Sequence, residues 1–178
     1  MSQDKGLQRQ KWAVECMAIK PGDQVLEIGC GTGSAVPWVC EKLKSGHLLA
    51  IDASSTMIQK AIMKNRKPME SGQVLFRAVA LSDLEWNGEL FHKALAFNVN
   101  VFWLKPGKEL ERLRELLRPR ALAFFFYTPP DLDQLNKIKS RLPEVLGAHG
   151  FKVQDSFEAK FDSTRAYGVK AVPMRTKT

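Results

Sequence analysis

The stretch V-L-E-I-G-C-G-T-G, Val25 to Gly33, is an apolar run that ends in an acid and continues directly into three alternating glycines. The turn signal Pro21-Gly22-Asp23 precedes it, and Ser34 to Lys44 has helical spacing. These patterns predict a buried strand, a glycine turn and a helix. Because glycine adopts conformations closed to other residues, a ligand could contact bare peptide N–H groups at the helix N-terminus. We therefore expect a nucleotide-type binding site.

The glycine spacing differs from the dinucleotide fingerprint G-x-G-x-x-G. The third glycine, Gly33, comes one position early, and Ser34 occupies the fingerprint position. Glu27 lies two residues before the first glycine, where its carboxylate would repel a pyrophosphate and attract an ammonium group. A dehydrogenase is therefore the least favoured enzyme class.

The residues Glu27, Gly29, Gly31 and Gly33 instead form the pattern E-x-G-x-G-x-G. With this motif the chain resembles the class I S-adenosylmethionine-dependent methyltransferases. A second buried-strand pattern ends at Asp52, where the ribose-binding carboxylate of that family lies, and Asp52 to Met57 resembles the family's D-x-S-x-x-M continuation. The resemblance extends from about residue 20 to the C-terminus.

The resemblance implies S-adenosyl-L-methionine as the cofactor and a set of residues that bind it: Glu27, Gly29, Cys30, Gly31, Gly33, Asp52, Ala53, Met57, Ala80, Leu81 and Asn98. The chain departs from the family after the third strand. Ala80 stands where many members carry an acid that pairs with the adenine amino group. Either Asp83 substitutes for that acid, or the backbone near Leu81 contacts the adenine.

Strand and helix patterns alternate along the chain, which predicts a largely parallel sheet with helices on both faces. The predicted strands are 24–28, 47–52, 73–79, 93–97, 121–127, 151–159 and 164–172. The predicted helices are 8–19, 34–44, 55–65, 107–117 and 132–146. The resemblance adds an antiparallel seventh strand, so we expect a Rossmann-like, doubly wound α/β fold. With 178 residues, 44% of them hydrophobic, the chain should form one domain, residues 1–178, with a short N-terminal helix in residues 1–20.

The histidines His47, His92 and His149 each stand at or just before the start of a predicted strand. Ligands of such sheets bind beyond the carboxyl ends of the strands. We therefore expect the histidines in solvent-facing turns at the opposite edge, and no histidine base in the active site.

Tyr127 and Asn100 are the candidate catalytic residues, because both lie at the carboxyl end of a predicted strand. Tyr127 could orient a nucleophile, although a buried structural tyrosine is equally compatible with the sequence. Phe102 and Trp103 belong either to the core or to the substrate site. Methyl transfer from a sulfonium depends mainly on orientation, so a site without a strong base favours an amine, thiol or carboxylate acceptor over an alcohol.

The three cysteines lack the spacing of metal ligands, and their odd number is typical of a reducing compartment. Cys16 and Cys40 lie on apolar helix faces, which predicts that they are core residues. Cys30 lies in the glycine loop, where cofactor binding is the favoured role and nucleophilic catalysis the minor alternative. The sequence shows no signal-length or membrane-spanning apolar run. We therefore expect a cytoplasmic protein with no membrane partner and no metal.

The net charge of +8 raises nucleic acid as a partner, but the basic residues are scattered. Lys160 and Arg165 could bind an acidic substrate or a phosphate, with solvated charges as the simpler interpretation.

Few residues are available to cover the site, which suits a large substrate or closure by a partner or a second copy in a homodimer. We expect a small-molecule methyltransferase, with an RNA or protein methyltransferase and a non-catalytic partner subunit as alternatives.

Overall fold

The computed structural model describes residues 2–174 and contains seven strands and seven α-helices in that range. The strands are β1 Gln24–Ile28, β2 His47–Asp52, β3 Val74–Ala78, β4 Phe91–Phe97, β5 Leu117–Tyr127, β6 Phe151–Phe161 and β7 Thr164–Pro173. The helices are α1 Ser2–Cys16, α2 Val36–Lys42, α3 Ser55–Lys64, α4 Arg66–Glu70, α5 Val101–Leu104, α6 Glu109–Leu116 and α7 Leu132–Ala148. A short 3₁₀ turn, Leu81–Asp83, follows β3. None of these helices is long and apolar enough to cross a bilayer.

The strands form one sheet in the order β3-β2-β1-β4-β5-β7-β6. Strands β1 to β5 pair in parallel, whereas β7 is antiparallel to both β5 and β6. The chain order reverses between β1 and β4, and the carboxyl ends of these two strands therefore flank a crevice where ligands bind in doubly wound folds. The predicted Rossmann-like fold with an antiparallel last strand is confirmed.

Alternate residues of the central strands pack into different layers, as the two-residue period of a strand requires. In β5, Ala123, Phe125 and Tyr127 join the core beneath α5, α6 and α7. Phe124 and Phe126 point the other way and pack against the layer of α1, α2 and α3. Both faces of the sheet are therefore covered, which holds the strand ends at one rigid edge.

Most predicted boundaries lie within two residues of the observed ones, and the largest differences are in the first helix and in β5. The first helix spans Ser2–Cys16 rather than 8–19, because the chain leaves it at Met17 and Ala18 has φ +48°. Strand β5 begins at Leu117, four residues before the predicted start, because Leu117 pairs with Phe91. A register shift follows this pair, and Arg120 takes a left-handed conformation with φ +64°.

A buried cation explains where the first helix ends. The Lys93 ammonium of β4 donates to the carbonyl oxygens of Met17, at 2.7 Å, and of Ala18. It also pairs with the Asp23 carboxylate at 3.3 Å, and both side chains are less than a tenth exposed. A cation at a helix C-terminus satisfies carbonyl groups that the helix leaves open. Lys93 thus anchors the N-terminal segment to the amino edge of the sheet.

Candidate active site

The glycine loop leaves β1 in a conformation that requires glycine at alternate positions. Gly29, Gly31 and Gly33 have φ values of +67°, +54° and +69°. A Cβ on Gly29 would lie 2.7 Å from Cγ2 of Val99, whereas a Cβ on Gly31 would meet no heavy atom within 4 Å. The loop therefore packs closely against the exit of β4 and leaves open space at Gly31, where a ligand could lie.

The loop amides are largely engaged within the protein, which corrects the expectation of bare N–H groups. Cys30 N donates to the Ile51 carbonyl at 2.9 Å, and Gly33 N donates to the Cys30 carbonyl at 2.9 Å. Gly31 N donates to Asp52 Oδ2 at 2.9 Å. The other oxygen of Asp52 accepts from Ser54 N, also at 2.9 Å. The Asp52 carboxylate is thus fixed beside the loop, where it gives the site a negative charge.

Glu27 is a buried carboxyl with one orphaned oxygen. Its side chain is 4% exposed, and Oε2 has no partner among the described residues. Burial, followed by the nearby charge of Asp52, raises the pKa of Glu27 from 4.5 to about 8. Such an orphaned carboxyl suits a ligand that supplies a hydrogen-bond-donating cation. The amino group of S-adenosylmethionine is a donor of this kind, so the residues present fit that cofactor.

The next two strands bring further predicted cofactor residues to the same edge. Val79 N donates to the Asp52 carbonyl at 2.9 Å, so the exit of β3 lies beside the end of β2. Ala53 and Met57 are exposed and Ala80 is half-buried, whereas the Leu81 side chain belongs to the core. Of Leu81, only the backbone is therefore available for contact with an adenine. Asp83 is exposed and its Oδ1 accepts from the Ser82 hydroxyl at 3.4 Å.

Asn98 connects the exits of β4 and β5. It has φ +58°, a conformation that asparagine tolerates better than most residues. Its backbone N–H donates to the Phe126 carbonyl, and its Oδ1 accepts from Thr128 N, both at 2.8 Å. Asn100 is exposed at the same edge, and its Oδ1 accepts from Trp103 Nε1 at 3.1 Å. These contacts align the two asparagines along the crevice.

The structure favours the structural alternative for Tyr127. Its side chain is 1% exposed, and the hydroxyl donates to the Val99 carbonyl at 2.9 Å. Burial raises the pKa of this phenol. The hydroxyl therefore positions the loop after β4. Because its proton is engaged in this hydrogen bond, Tyr127 offers no free donor for the predicted catalytic role. Phe102 and Trp103 are likewise core residues, at 0% and 6% exposed.

The histidines lie at the amino edge, as predicted, but two of them are not solvent-facing. His92 is the second residue of β4, and its Nδ1 accepts from Gln24 N at 2.9 Å. His149 is half-buried, with Nδ1 2.8 Å from the Val145 carbonyl oxygen. The His92 ring therefore bridges β4 and β1, and the His149 ring contacts the last turn of α7, roles that sequence position alone did not reveal.

Cys30 is 7% exposed and part of the core beneath α2. Burial, reinforced by the charges of Glu27 and Asp52, raises its pKa. A raised pKa disfavours the thiolate that a nucleophile requires. The geometry thus leaves Cys30 only its backbone for contact with a ligand.

Comparison with known proteins gives the family. A model of the methyltransferase domain matches residues 25–120. The methyltransferase-family protein YrhH of Bacillus subtilis (strain 168) is 31% identical over 136 residues, which cover 76% of this chain and 73% of YrhH. The chain belongs to the class I S-adenosylmethionine-dependent methyltransferases.

Solved structures of methyltransferases share the fold. A methyltransferase from Aquifex aeolicus superposes with a TM-score of 0.77 at 18% identity, covering 91% of this chain and 88% of that one. The magnesium protoporphyrin IX methyltransferase ChlM of Synechocystis PCC 6803, with bound S-adenosylhomocysteine, gives 0.73 at 18% identity. That match covers 95% of this chain and 84% of ChlM.

Two clefts of this methyltransferase lie beyond the carboxyl ends of β4 and β5. The smaller one, of ≈ 120 Å³, includes Asn98, Asn100 and Thr128 in its lining. The other, of ≈ 300 Å³, extends towards the β6–β7 hairpin and shares Pro129 and Pro130 with the first. The two clefts therefore form one continuous surface beside the crevice.

A groove of ≈ 660 Å³, larger than either cleft, lies elsewhere. It runs between α2, the end of α3 and α4, and reaches Gln73 immediately before β3. Its Gln73 end is at the amino edge of the sheet, and Asn65, which also lines it, donates to the Gly33 carbonyl of the glycine loop at 3.1 Å. Neither Asn98 nor Asn100 lines this groove, whereas both line the smaller cleft.

Proposed function

We propose that this methyltransferase transfers the methyl group of S-adenosylmethionine to a small molecule. The observation that carries the proposal is the pair of adjoining clefts, of ≈ 120 and ≈ 300 Å³, next to Asn98. Clefts of a few hundred Å³ are typical of small-molecule sites. ChlM, which shares the fold, is named for a small-molecule substrate.

Within this proposal the cofactor binds along the exits of β1, β2 and β3. The Glu27 carboxylate receives the amino group of the methionine part, and Asp52 accepts from the ribose hydroxyls through its remaining lone pairs. Gly29, Cys30, Gly31 and Gly33 supply the close backbone approach. Ala53, Met57, Ala80 and the Leu81 backbone surround the adenine, and Asn98 lies at the methionine end.

When bound, the cofactor supplies a methyl group that a sulfonium centre already activates. The chain's own residues then need to orient the acceptor and to exclude water. Asn100 is the exposed polar side chain nearest in sequence to Asn98, and we assign it the positioning of the acceptor. Since the histidines lie at the other edge and the Tyr127 hydroxyl is engaged, the site suits a neutral amine, a thiol or a carboxylate.

The experiment is a methyl-transfer assay with labelled S-adenosylmethionine and a cell extract divided by dialysis. We expect labelled product in the dialysable fraction, and a loss of about tenfold in turnover for Asn100→Ala. The cofactor affinity of that variant should not change. Asn136→Ala, which removes an exposed asparagine from α7, is the matched control. Label found only in the retained RNA or protein would overturn the small-molecule proposal.

One observation favours RNA as a second candidate acceptor. Residues 54–69 contain Lys60, Lys64, Arg66 and Lys67 and no acid, and three of these cations line the large groove. A run of cations beside a groove suits a phosphate backbone. Asn98 and Asn100 do not line this groove, however, so an RNA held there would need to extend along the protein surface to reach them. The RNA arm of the same assay tests this candidate.

A further inference from the structure

The tip of the β6–β7 hairpin carries two cations beside the acceptor clefts. Lys160 and Arg165 are direct cross-strand partners at the turn end of the hairpin. Because β6 runs parallel to β5, this end lies at the same edge as the glycine loop and the two asparagines. Both residues line the ≈ 300 Å³ cleft, which adjoins the cleft of Asn98 through Pro129 and Pro130.

This placement of like charges needs an explanation other than stability, because like charges directly opposite each other destabilise a hairpin. Other cations near the same hairpin are neutralised. Lys170 pairs with Asp155 at 3.3 Å, and Lys139 pairs with Glu158 at 2.6 Å. Among the side chains that the structure describes, those of residues 6–174, Lys160 and Arg165 have no ion-pair partner.

Two carboxylates also line the cleft, Asp131 and Asp162. Asp131 caps α7, with Oδ1 accepting from Gln134 N at 2.7 Å, so its charge is directed towards the helix backbone. Arginine and lysine side chains that converge on one cleft are the usual ligands of an oxyanion, since a guanidinium offers paired donors and an ammonium offers a point charge. The hairpin tip has the composition of an oxyanion subsite.

We propose that Lys160 and Arg165 bind an oxyanionic group, a phosphate or a carboxylate, on the methyl acceptor. This inference rests on the proposed function, because it identifies the larger cleft as part of the acceptor site. The acceptor then spans both clefts, with its anionic group at the hairpin and its nucleophilic atom near Asn98 and Asn100. The basic hairpin thereby selects the acceptor and fixes its orientation.

The test is a titration of ¹⁵N-labelled protein, followed by backbone amide shifts, with inorganic phosphate in one arm and acetate in the other. We expect saturable shifts confined to the hairpin tip and to residues 129–132. The double variant Lys160→Ala/Arg165→Ala should weaken this binding at least tenfold. The control Lys44→Ala/Lys152→Ala removes the same charge from exposed positions near the amino edge and should leave the binding unchanged. Saturation by phosphate alone would identify a phosphate-bearing acceptor. Saturation by both anions would show that the site also binds a carboxylate group of the acceptor.

Shifts that are absent, that are spread over all basic residues, or that persist in the double variant would overturn the inference. The readout needs neither cofactor nor turnover, so it is separate from the proposed function. Phosphate binding at the hairpin together with no methylation of any dialysable compound would refute the proposed function alone. Methylation of a small acceptor without anion binding at the hairpin would refute the inference alone.

Discussion

Replacement of Glu27 by glutamine should stabilise the empty protein and weaken cofactor binding. The carboxyl is 4% exposed with one oxygen unpartnered, and its pKa in the folded chain is about 8, against 4.5 as the ordinary value. The folded chain therefore holds this proton more tightly than the unfolded chain does. Raising the pH between these two values favours the unfolded state, because only that state can ionise the group freely.

The magnitude follows from the two pKa values. Each pH unit between 4.5 and 8 removes about 1.4 kcal/mol of stability through Glu27. By pH 7 the deficit relative to a permanently neutral side chain reaches about 3 kcal/mol. Glutamine has nearly the same shape and cannot ionise. Glu27→Gln should therefore exceed the native chain in stability by about 1 kcal/mol at pH 5 and by about 3 kcal/mol at pH 7.

The assay is urea unfolding of the empty protein at several pH values between 5 and 8. Glu41→Gln, which makes the same change at an exposed position of α2, is the control and should follow the native chain. Parallel pH profiles for native and Glu27→Gln proteins, or a variant less stable at pH 7, would refute the reasoning.

Bound cofactor should reverse the order of stability of the native chain and the Glu27→Gln variant. An ammonium group that binds Glu27 requires the ionised carboxylate, so binding releases a proton, and the affinity of the native chain should rise by up to about tenfold per pH unit below pH 8. Glu27→Gln should bind weakly, with no such rise. Saturating S-adenosylmethionine should then stabilise the native chain more than the variant.

Three further substitutions test individual contacts. Lys93→Met should lower the free energy of unfolding by about 3 kcal/mol, because it leaves Asp23 buried without its ion-pair partner, and the double variant with Asp23→Asn should recover part of this loss in urea unfolding. Tyr127→Phe should cost about 1 kcal/mol through the lost hydrogen bond to Val99, and an altered pH–rate profile would show that the hydroxyl is catalytic after all. Gly29→Ala should lower the melting temperature more than Gly31→Ala, because only the former Cβ would contact Val99, at 2.7 Å.

The strands next to the crevice could be predicted from the sequence because local signals determine them. The apolar run of β2 ends at an acid, that of β1 carries one just before its last residue, and turn residues bound both, so their predicted and observed limits agree. The positions of Glu27 and Asp52 at one edge follow from strand direction alone. The family motif then identified the ligand class before any contact was known.

The contacts that were missed join residues far apart in the chain. Tyr127 donates to a carbonyl 28 positions away, and Lys93 reaches Met17 across 76 positions. Asn65, at the end of α3, donates to the Gly33 carbonyl at 3.1 Å and so braces the glycine loop. No periodicity marks such residues, because their partners are chosen by tertiary packing. An asparagine or lysine within an apolar pattern was the only available signal.

Calorimetric titration with S-adenosylmethionine tests the central claim most directly. We expect micromolar binding to the native chain, and none to Gly31→Asp, which places a carboxylate in the open space of the loop. Gly72→Asp is the matched control, because Gly72 also has a positive φ, of +76°, and open space around it but lies in the turn before β3. Binding to the native chain and to Gly72→Asp, lost in Gly31→Asp, would support the cofactor site described above. No binding to the native chain, or equal binding to Gly31→Asp, would contradict it.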